Sequence, residues 1–251
     1  MPHIVGNRIF LREYLMTDVE ALYQWRTQDD IVWWTGSYLW PESLEQARFF
    51  VENQVKVIGV DSRHACYRDG GIRLRGFSVL IFAAKGRLLW QKRSAEKITF
   101  PGGWANSCCS HPLDIESEND GSDGVENAAR RKLDQELGIP MGITETWSFH
   151  HIGRMEYSCR WNKDRIEREI DHIMVVQADT EVVPNENEIS EVLWAEPLEI
   201  RRMMSGKGDW GDEVVAPWFR LIWEKFATPH DCAPTAMKSS INKEIHYCGE
   251  V

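Results

Sequence analysis

The sequence predicts an α+β fold that follows an N-terminal extension. Two apolar runs, Phe77–Phe82 and Leu88–Trp90, flank a short turn, and this pattern is typical of a β-hairpin. Helical periodicity extends from Val125 to Leu137 and stops at Gly138, which predicts a long helix with a glycine C-cap. Further strand-like and helix-like segments alternate downstream without internal repeats, so one α+β domain is expected.

The remaining elements follow from local patterns taken in order. Segment 114–124 is acidic and contains Gly and Ser, so we expect a solvated loop there. The polar segment from Ala227 onward is expected to be loosely held. The predicted organisation is an N-terminal extension over 1–55, the domain over 56–226 and a polar C-terminal tail over 227–251. The other expected strands cover 7–14, 146–157, 169–177 and 192–195, and the other expected helices cover 19–25, 44–55, 197–204 and 218–226.

Composition excludes several classes of function. The formal net charge of −10 over 251 residues argues against a general nucleic-acid binder. No apolar run reaches the length of a membrane span, and no secretory signal is visible, so a cytoplasmic protein is expected. The six cysteines, two of them adjacent, are expected to be free thiols. The oligomeric state is left open.

The stretch Phe100–Pro112 is the candidate for chemistry. A Pro-Gly turn opens it and Pro112 ends it, so Cys109 and His111 lie on a constrained loop, where reactive groups are often presented. The pattern alone leaves two interpretations open. Either these two side chains perform chemistry, or a buried cysteine and a capping histidine stabilise a turn.

Two motifs carry a resemblance to a known family. The helix Arg131–Ile139 resembles the second half of the Nudix box, although the first half is absent. The run Asn106–Leu113, preceded by Lys97–Gly102, resembles type I isopentenyl-diphosphate isomerases. Further matches in the same order bring the resemblance to roughly residues 56–226. The resemblance implies a Nudix-type α/β/α sandwich with a mixed sheet.

The resemblance also implies a reaction and its residues. A proton is added to the isopentenyl double bond and another is removed, with a tertiary carbocation between the two steps. Cys109 and Glu169 match the acid/base pair of the family, and both can exchange protons. Trp218 matches the tryptophan whose ring shields the cation, and Tyr157 matches a tyrosine near the glutamate.

Diphosphate binding is assigned in the same way. Several cations and a hydroxyl group suit diphosphate oxygens. The resemblance places Glu136 where the family binds Mg²⁺ that bridges the diphosphate. An isoprenoid diphosphate is thus the expected partner. The positions implied for substrate binding are Arg63, Arg93, Lys97, Ser110 and Lys132.

A second metal site departs from the family pattern. The family holds this ion, of the Zn²⁺ or Mn²⁺ type, with three histidines and two glutamates, of which His111, Glu167 and Glu169 remain. The other two positions are Tyr67 and Leu74, and neither replaces a neutral imidazole. His64 is a possible fourth ligand. We therefore expect weak occupancy or none.

Four functions remain open. The leading one is isomerisation of isopentenyl diphosphate. The second keeps the carbocation but cyclises or rearranges a longer prenyl diphosphate. The third is a non-catalytic homologue that binds a prenyl diphosphate or a partner, and the fourth is Nudix diphosphate hydrolysis. In the second case an aromatic pocket would be lined by Trp33, Trp34, Trp40, Trp104 and Trp161.

Overall fold

The computed structural model describes residues 4–5, 8–9, 66–68, 71–119, 121–206, 213–240 and 245–251. The chain divides into two compact units, Met1–Asp61 and Ser62–Val251. In the first unit, strands β1 (Ile4–Val5) and β2 (Arg8–Ile9) pair antiparallel. The helices expected at 19–25 and 44–55 lie outside the described residues. The domain boundaries expected at 55 and 226 stay predictions.

The second unit is built on a mixed sheet. Strand β3 runs parallel to β8 and β10 runs parallel to β7, whereas the other pairs are antiparallel. The strand order is β10-β7-β8-β3-β4-β5, with β6 also paired to β3 and β9 to β4. The strands are β3 (Arg73–Phe82), β4 (Leu88–Arg93), β5 (Trp104–Ala105), β6 (Cys108–Ser110), β7 (His150–Asn162), β8 (Arg165–Gln177), β9 (Ile189–Ala195) and β10 (Ile245–Glu250).

Helices connect these strands. Gly138 ends α2 with φ of 65°, and its N–H donates to the Asp134 carbonyl at 3.0 Å, so the predicted C-cap is confirmed. None of the described helices has the length and apolar character that a membrane crossing requires. The helices are α1 (Glu116–Asn119), α2 (Gly121–Leu137), α3 (Met141–Thr144), α4 (Pro197–Met204), α5 (Pro217–Ile222) and α6 (Pro234–Ser239), with a π-helical turn at Trp223–Ala227 and a 3-10 turn at Thr228–His230.

The sheet separates two hydrophobic cores. Alternation along β3 sends Phe77 and Ile81 to the face covered by Leu133 of α2. It sends Leu80 to the opposite face, where α5 contributes Phe219. Burial on both faces explains why β3 reads as a continuous apolar run rather than an alternating one. The predicted α/β/α sandwich with a mixed sheet is confirmed.

The acidic segment 114–124 was predicted as a loop, and this prediction is wrong. Helix α1 and the first turn of α2 lie within it, and Glu118 is only 2% exposed. Arg131 donates to both Glu118 carboxylate oxygens, at 2.5 and 2.9 Å, and the Leu113 N–H donates at 2.7 Å. Burial alone would raise the pKa of Glu118, but these hydrogen bonds outweigh it and hold the pKa below its ordinary value. The partner that orders the segment is thus thirteen residues away.

The C-terminal segment was expected to be loosely held, and its described part is not. Strand β10 pairs parallel with β7, in register Ile245 to Arg154, and Ile245 is buried. Met237 of α6 is fully buried in the core beside α5. The expected helix 218–226 also changes character, because α5 ends at Ile222 and a π-helical turn follows. The segment is polar overall, so its few apolar contacts with the rest of the domain could not be predicted from composition.

Two glycines give opposite predictions for replacement by alanine. Glycine to alanine within a helix normally stabilises it by up to about 1 kcal/mol. At Gly142 a Cβ would meet nothing within 4 Å, so the ordinary gain is expected. At Gly124 a Cβ would lie 2.5 Å from the Glu118 carbonyl oxygen, a backbone atom that cannot move aside cheaply. Gly124→Ala should therefore lower the free energy of unfolding by about 1–3 kcal/mol. Urea unfolding followed by circular dichroism measures both variants, and equal gains would contradict the close packing of α1 on α2.

Candidate active site

The candidate site is a small cavity of about 30 Å³ over strands β8, β3 and β6. Most of its lining was predicted as site residues, and three hydroxyl-bearing residues were not, namely Tyr67, Ser78 and Thr99. A larger cavity of about 620 Å³ at the turn between β7 and β8 is lined by charged and polar residues and by Ile166, with no cysteine, glutamate or tryptophan. The predicted residues that line the small cavity are Arg93, Lys97, Cys109, Ser110, His111, Tyr157, Glu167, Glu169 and Trp218.

Strand register places the proposed acid/base pair on either side of β3. Cys109 of β6 pairs with Ser78, and Glu169 of β8 pairs with Leu74. Directly paired residues project to the same face of a sheet, and Leu74 and Ser78 share one face because they are four residues apart. Cys109 and Glu169 therefore reach the same cavity from different strands.

Three acidic residues alternate along β8 and share that face. We call Glu167, Glu169 and Asp171 the carboxylate row. All three are buried, and a buried carboxylate is stable only when it is paired or hydrogen-bonded. Each accepts a hydrogen bond from a hydroxyl group of a different segment: Glu167 from Thr99, Glu169 Oε2 from Tyr157 at 3.1 Å, and Asp171 Oδ2 from Ser78 at 2.8 Å.

Mutual repulsion within the row changes its charge. Burial, followed by the adjacent Glu169 charge, raises the pKa of Glu167 to about 7 against the opposing Thr99 hydrogen bond. Burial, followed by the Glu169 charge, raises the pKa of Asp171 well above its ordinary value. Asp171 Oδ1 also has no hydrogen-bond partner among the described residues. At neutral pH the row thus carries fewer than three negative charges.

Glu169 is held at both oxygens. His111 Nε2 lies 2.9 Å from Glu169 Oε1, and the Tyr157 hydroxyl donates to Oε2. The space for this carboxylate comes from Gly76 on β3, where a Cβ would lie 2.5 Å from Oε2. Neither Gly76 nor its role was predicted from the sequence. The carboxylate is therefore held by one imidazole and one phenol, in space that a glycine leaves open.

The adjacent cysteines face opposite sides of the sheet. Cys108 is fully buried in the core beneath α2, with its Sγ 4.0 Å from Glu136 Oε2. Cys109 is partly exposed and lines the cavity. Burial raises the pKa of Cys109 to about 12, against the opposing positive charge of Arg93. Cys109 is thus a neutral thiol at physiological pH, and the structure selects it over Cys108 as the group facing the cavity.

Arg93 and Trp218 form one wall of the cavity. Arg93 donates from Nε to the Phe100 carbonyl at 3.1 Å and from Nη2 to the Thr99 carbonyl at 2.8 Å. Its guanidinium carbon lies 5.1 Å from the centroid of the Trp218 ring, a cation–π distance. Trp218 donates from Nε1 to Asn106 Oδ1 at 3.2 Å. These bonds fix an indole ring at the cavity, and Asn106 is another residue that the sequence analysis missed.

The predicted Lys132 and Glu136 lie beside the cavity rather than in it. Lys132 Nζ is 2.7 Å from Glu136 Oε1, and Lys97 Nζ is 3.8 Å from the same oxygen. Lys97 also pairs with Glu188. Although burial acts to lower the pKa of Lys132, Glu136 raises it above its ordinary value. Lys97 lines the cavity and also contacts the buried Glu136, so it connects the two.

Some predicted positions cannot be placed in this site. Arg63 and His64 lie outside the described residues, as do Trp33, Trp34 and Trp40. Trp104 does not line the cavity, because it packs in the core with its ring centroid 5.0 Å from that of Trp90. Trp161 packs on Phe100 at 5.0 Å between ring centroids and does not line it either. The aromatic pocket suggested for a longer substrate is thus not formed by the described tryptophans.

The donor set does not suit both of the metals that the resemblance implies. Within the described part of the chain, no three His, Cys, Asp or Glu side chains are grouped as a metal site. Leu74, paired with Glu169, has no lone pair to offer, and the phenol of Tyr67 is a poor ligand for Zn²⁺. These residues do not fit a transition-metal ion. Mg²⁺ needs only one or two protein carboxylates besides phosphate oxygens and water. Glu136 supplies one carboxylate, and its Oε1 is paired with Lys132 in this structure.

Comparison with known proteins places the chain among two nested groups. Residues 72–219 match the NUDIX domain family. Isopentenyl-diphosphate Delta-isomerase II, chloroplastic, of Arabidopsis thaliana is 38% identical over 192 residues, which cover 73% of this chain and 67% of that protein. Isopentenyl-diphosphate Delta-isomerase II of Clarkia breweri is 37% identical, and the match spans 70% of this chain and 64% of the relative. Isopentenyl-diphosphate Delta-isomerase 1 of Mesocricetus auratus is 36% identical, with 73% and 83% covered.

A solved structure supports the fold. The NUDIX hydrolase from Alicyclobacillus acidocaldarius superposes with a TM-score of 0.50 at 12% identity. The superposition covers 68% of this chain and 98% of the hydrolase. The superposition supports the sandwich architecture, and at this low identity it carries no argument about the reaction.

The Ser78–Asp171 hydrogen bond allows a sharp test of the carboxylate row. Ser78→Ala removes the hydroxyl that Asp171 accepts and should lower the free energy of unfolding by about 1–3 kcal/mol. Ser78→Ala/Asp171→Val removes both polar groups and should recover most of that loss, because no buried group is left unsatisfied. Urea unfolding followed by tryptophan fluorescence compares the two. A double variant less stable than the single one would contradict this account.

Proposed function

Because the chain belongs to the NUDIX domain family and, within it, to the isopentenyl-diphosphate Delta-isomerases, we propose that it converts isopentenyl diphosphate to dimethylallyl diphosphate. The observation that carries the proposal is that Cys109 and Glu169 line one small cavity from opposite sides of β3. Trp218 lines the same cavity. A proton donor, a proton acceptor and an aromatic face are what the isomerisation requires.

The proposed reaction moves two protons and leaves the composition unchanged. Cys109, as a neutral thiol, gives its proton to the terminal methylene carbon, and the double-bond electrons form the new C–H bond. A tertiary cation remains at the branched carbon. The Glu169 carboxylate then removes a proton from the neighbouring methylene, and that electron pair forms the new double bond. Return of a proton from Glu169 to the Cys109 thiolate restores the enzyme.

The cation between these steps needs stabilisation without capture by water. An indole face stabilises a nearby cation by about 2 kcal/mol or more where solvent is excluded. Trp218 is 3% exposed, and its bond to Asn106 fixes the ring. Glu169, which lines the same cavity, would act in the same direction as a carboxylate. Both groups support the formation of a carbocation at this site.

Diphosphate binding is assigned to the basic side of the cavity. Lys97, Ser110 and the remaining N–H groups of Arg93 line it and suit phosphate oxygens. Lys132, which is paired with Glu136, is proposed to add positive charge beside the cavity. Arg63 is proposed as a further contact. Glu136 would hold Mg²⁺, which neutralises diphosphate charge when bound. The cytoplasmic location is kept as part of this proposal.

The other functions are kept as outcomes of the same assay. Trp104 and Trp161 do not line the cavity, so they do not support a longer, cyclised prenyl chain. The incomplete Nudix box argues against hydrolysis. The presence of both an acid/base pair and an aromatic face argues against a purely binding role. Each alternative leaves a distinct product, or none.

The central prediction concerns the two adjacent thiols. Purified enzyme incubated with isopentenyl diphosphate and Mg²⁺ should form dimethylallyl diphosphate, identified by chromatography and mass spectrometry. Cys109→Ala and Glu169→Gln should lower kcat by at least about 100-fold, in the range expected for loss of a general acid or base. Cys108→Ala is the matched control and should keep most of the activity, because its thiol faces the other core.

The same assay separates the rival functions. Geranyl and farnesyl diphosphates should give no new carbon skeleton. A cyclic product from either would establish the cyclase, and phosphate or diphosphate release without rearrangement would establish hydrolysis. Wild-type activity no greater than that of Cys109→Ala would refute the isomerase proposal.

Gly76 provides a test of how precisely Glu169 must be placed. Gly76→Ala would bring a Cβ to 2.5 Å from Glu169 Oε2 and push the carboxylate away from the cavity. Misplacement of a catalytic group by about 1 Å can cost about 100-fold, so kcat should fall by that order while the thermal midpoint changes little. Gly142→Ala, at an open position, is the control. Unchanged kcat in Gly76→Ala would show that Glu169 tolerates displacement.

A further inference from the structure

The hydrogen bonding around Glu169 points to an organisation of the centre without a transition metal. We propose that donors of the protein itself hold the carboxylate row, in place of a divalent ion of the Zn²⁺ or Mn²⁺ type. In this proposal His111 is the positioning residue of Glu169. The inference rests on the proposed function for its catalytic meaning, but its main readout is metal binding and does not require turnover.

The first argument is that each carboxylate of the row already accepts a hydrogen bond from a hydroxyl group. Thr99, Tyr157 and Ser78 each give one hydroxyl hydrogen bond to one carboxylate, and His111 occupies the second oxygen of Glu169. These donors come from separate segments, so the fold brings them together specifically at β8. A metal ion would have to displace His111 from Glu169 and would gain few new ligands in return.

The second argument is the identity of the side chains around Glu169. Leu74 is the direct neighbour of Glu169 on β3 and shares its face. Tyr67 is 3% exposed, lines the cavity, and meets the His111 ring edge-on at 6.4 Å between centroids. A leucine and a phenol therefore stand where further nitrogen ligands would be needed for a tetrahedral or octahedral shell.

The third argument is charge. A buried row of carboxylates needs positive charge nearby, which a divalent ion would otherwise supply. Arg93 lines the same cavity as Glu167 and Glu169. Arg93 is itself fixed by two backbone carbonyls. The protein thus provides both the hydrogen bonds and the positive charge of a metal from its own side chains.

The test adds the ligands that the chain lacks. Tyr67→His/Leu74→His supplies two imidazoles beside His111, Glu167 and Glu169. Tyr67→Phe/Leu74→Asn is the matched control, with two substitutions and no imidazole. Isothermal titration with Zn²⁺ and with Mn²⁺, and elemental analysis after dialysis, should show substoichiometric metal in the wild type and the control. The double-histidine variant should gain one equivalent of bound Zn²⁺.

Two results would overturn the proposal. One is stoichiometric Zn²⁺ or Mn²⁺ in the wild type that is lost in His111→Ala or in His64→Ala. The other is a double-histidine variant that is folded by circular dichroism and still gains no metal, since the missing imidazoles would then not decide binding. If that variant does not fold, the wild-type titration with the two alanine variants decides the question alone.

The positioning role of His111 has its own readout. His111→Ala should lower kcat while KM for isopentenyl diphosphate stays nearly unchanged, and added Zn²⁺ or Mn²⁺ should not restore the rate. His111→Gln keeps an N–H donor near the position of Nε2 and should recover part of kcat. Restoration of His111→Ala by Zn²⁺ would contradict the proposal. Absence of isomerase activity in the wild type would refute the proposed function but leave the metal-binding result standing.

Discussion

The structure around the site depends on burying three carboxylates on one face of one strand. Burial of an unpaired carboxylate is so unfavourable that each member of the row needs a donor, and neighbouring segments are placed to supply it. Tyr157 reaches Glu169 from β7, Ser78 reaches Asp171 from β3, and Thr99 reaches Glu167 from the loop before β5. Burial, followed by the charge of Glu169, raises the pKa of Glu167 and Asp171, so the row is held only partly charged.

The sheet explains how adjacent residues acquire different roles. Cys108 and Cys109 follow one another on β6 and therefore point to opposite faces, one towards α2 and one towards the cavity. Glu136 belongs to the α2 side and carries the ion pair with Lys132. Lys97 reaches both sides, because it pairs with Glu136 and also lines the cavity. The residues proposed to bind the diphosphate therefore lie partly on the α2 side of the sheet, whereas those proposed to transfer protons line the cavity. The two sides meet at Lys97.

The chain belongs to the isomerase family although Tyr67 and Leu74 stand at two of the family's metal-ligand positions, and the structure shows how these two facts are compatible. Glu169 is what the proposed reaction requires, and its geometry can be fixed by any set of groups that holds both carboxylate oxygens. His111 and Tyr157 do so here, and Gly76 leaves the room. If the proposed function holds, activity depends on how rigidly Glu169 is held, whether a metal ion or side chains hold it.

The sequence alone determined the elements whose signals are local. The hairpin of β3 and β4, the helix α2 with its Gly138 cap, and α4 were predictable, since turn formers and periodicity lie within the segments themselves. Motif resemblance also identified Cys109 and Glu169 as candidates. Only the tertiary structure decided how the row is satisfied, because Ser78 and Asp171 are 93 residues apart and Thr99 and Glu167 are 68 apart. Hydrogen bonds over such separations are set by strand register, and register depends on how the whole sheet pairs.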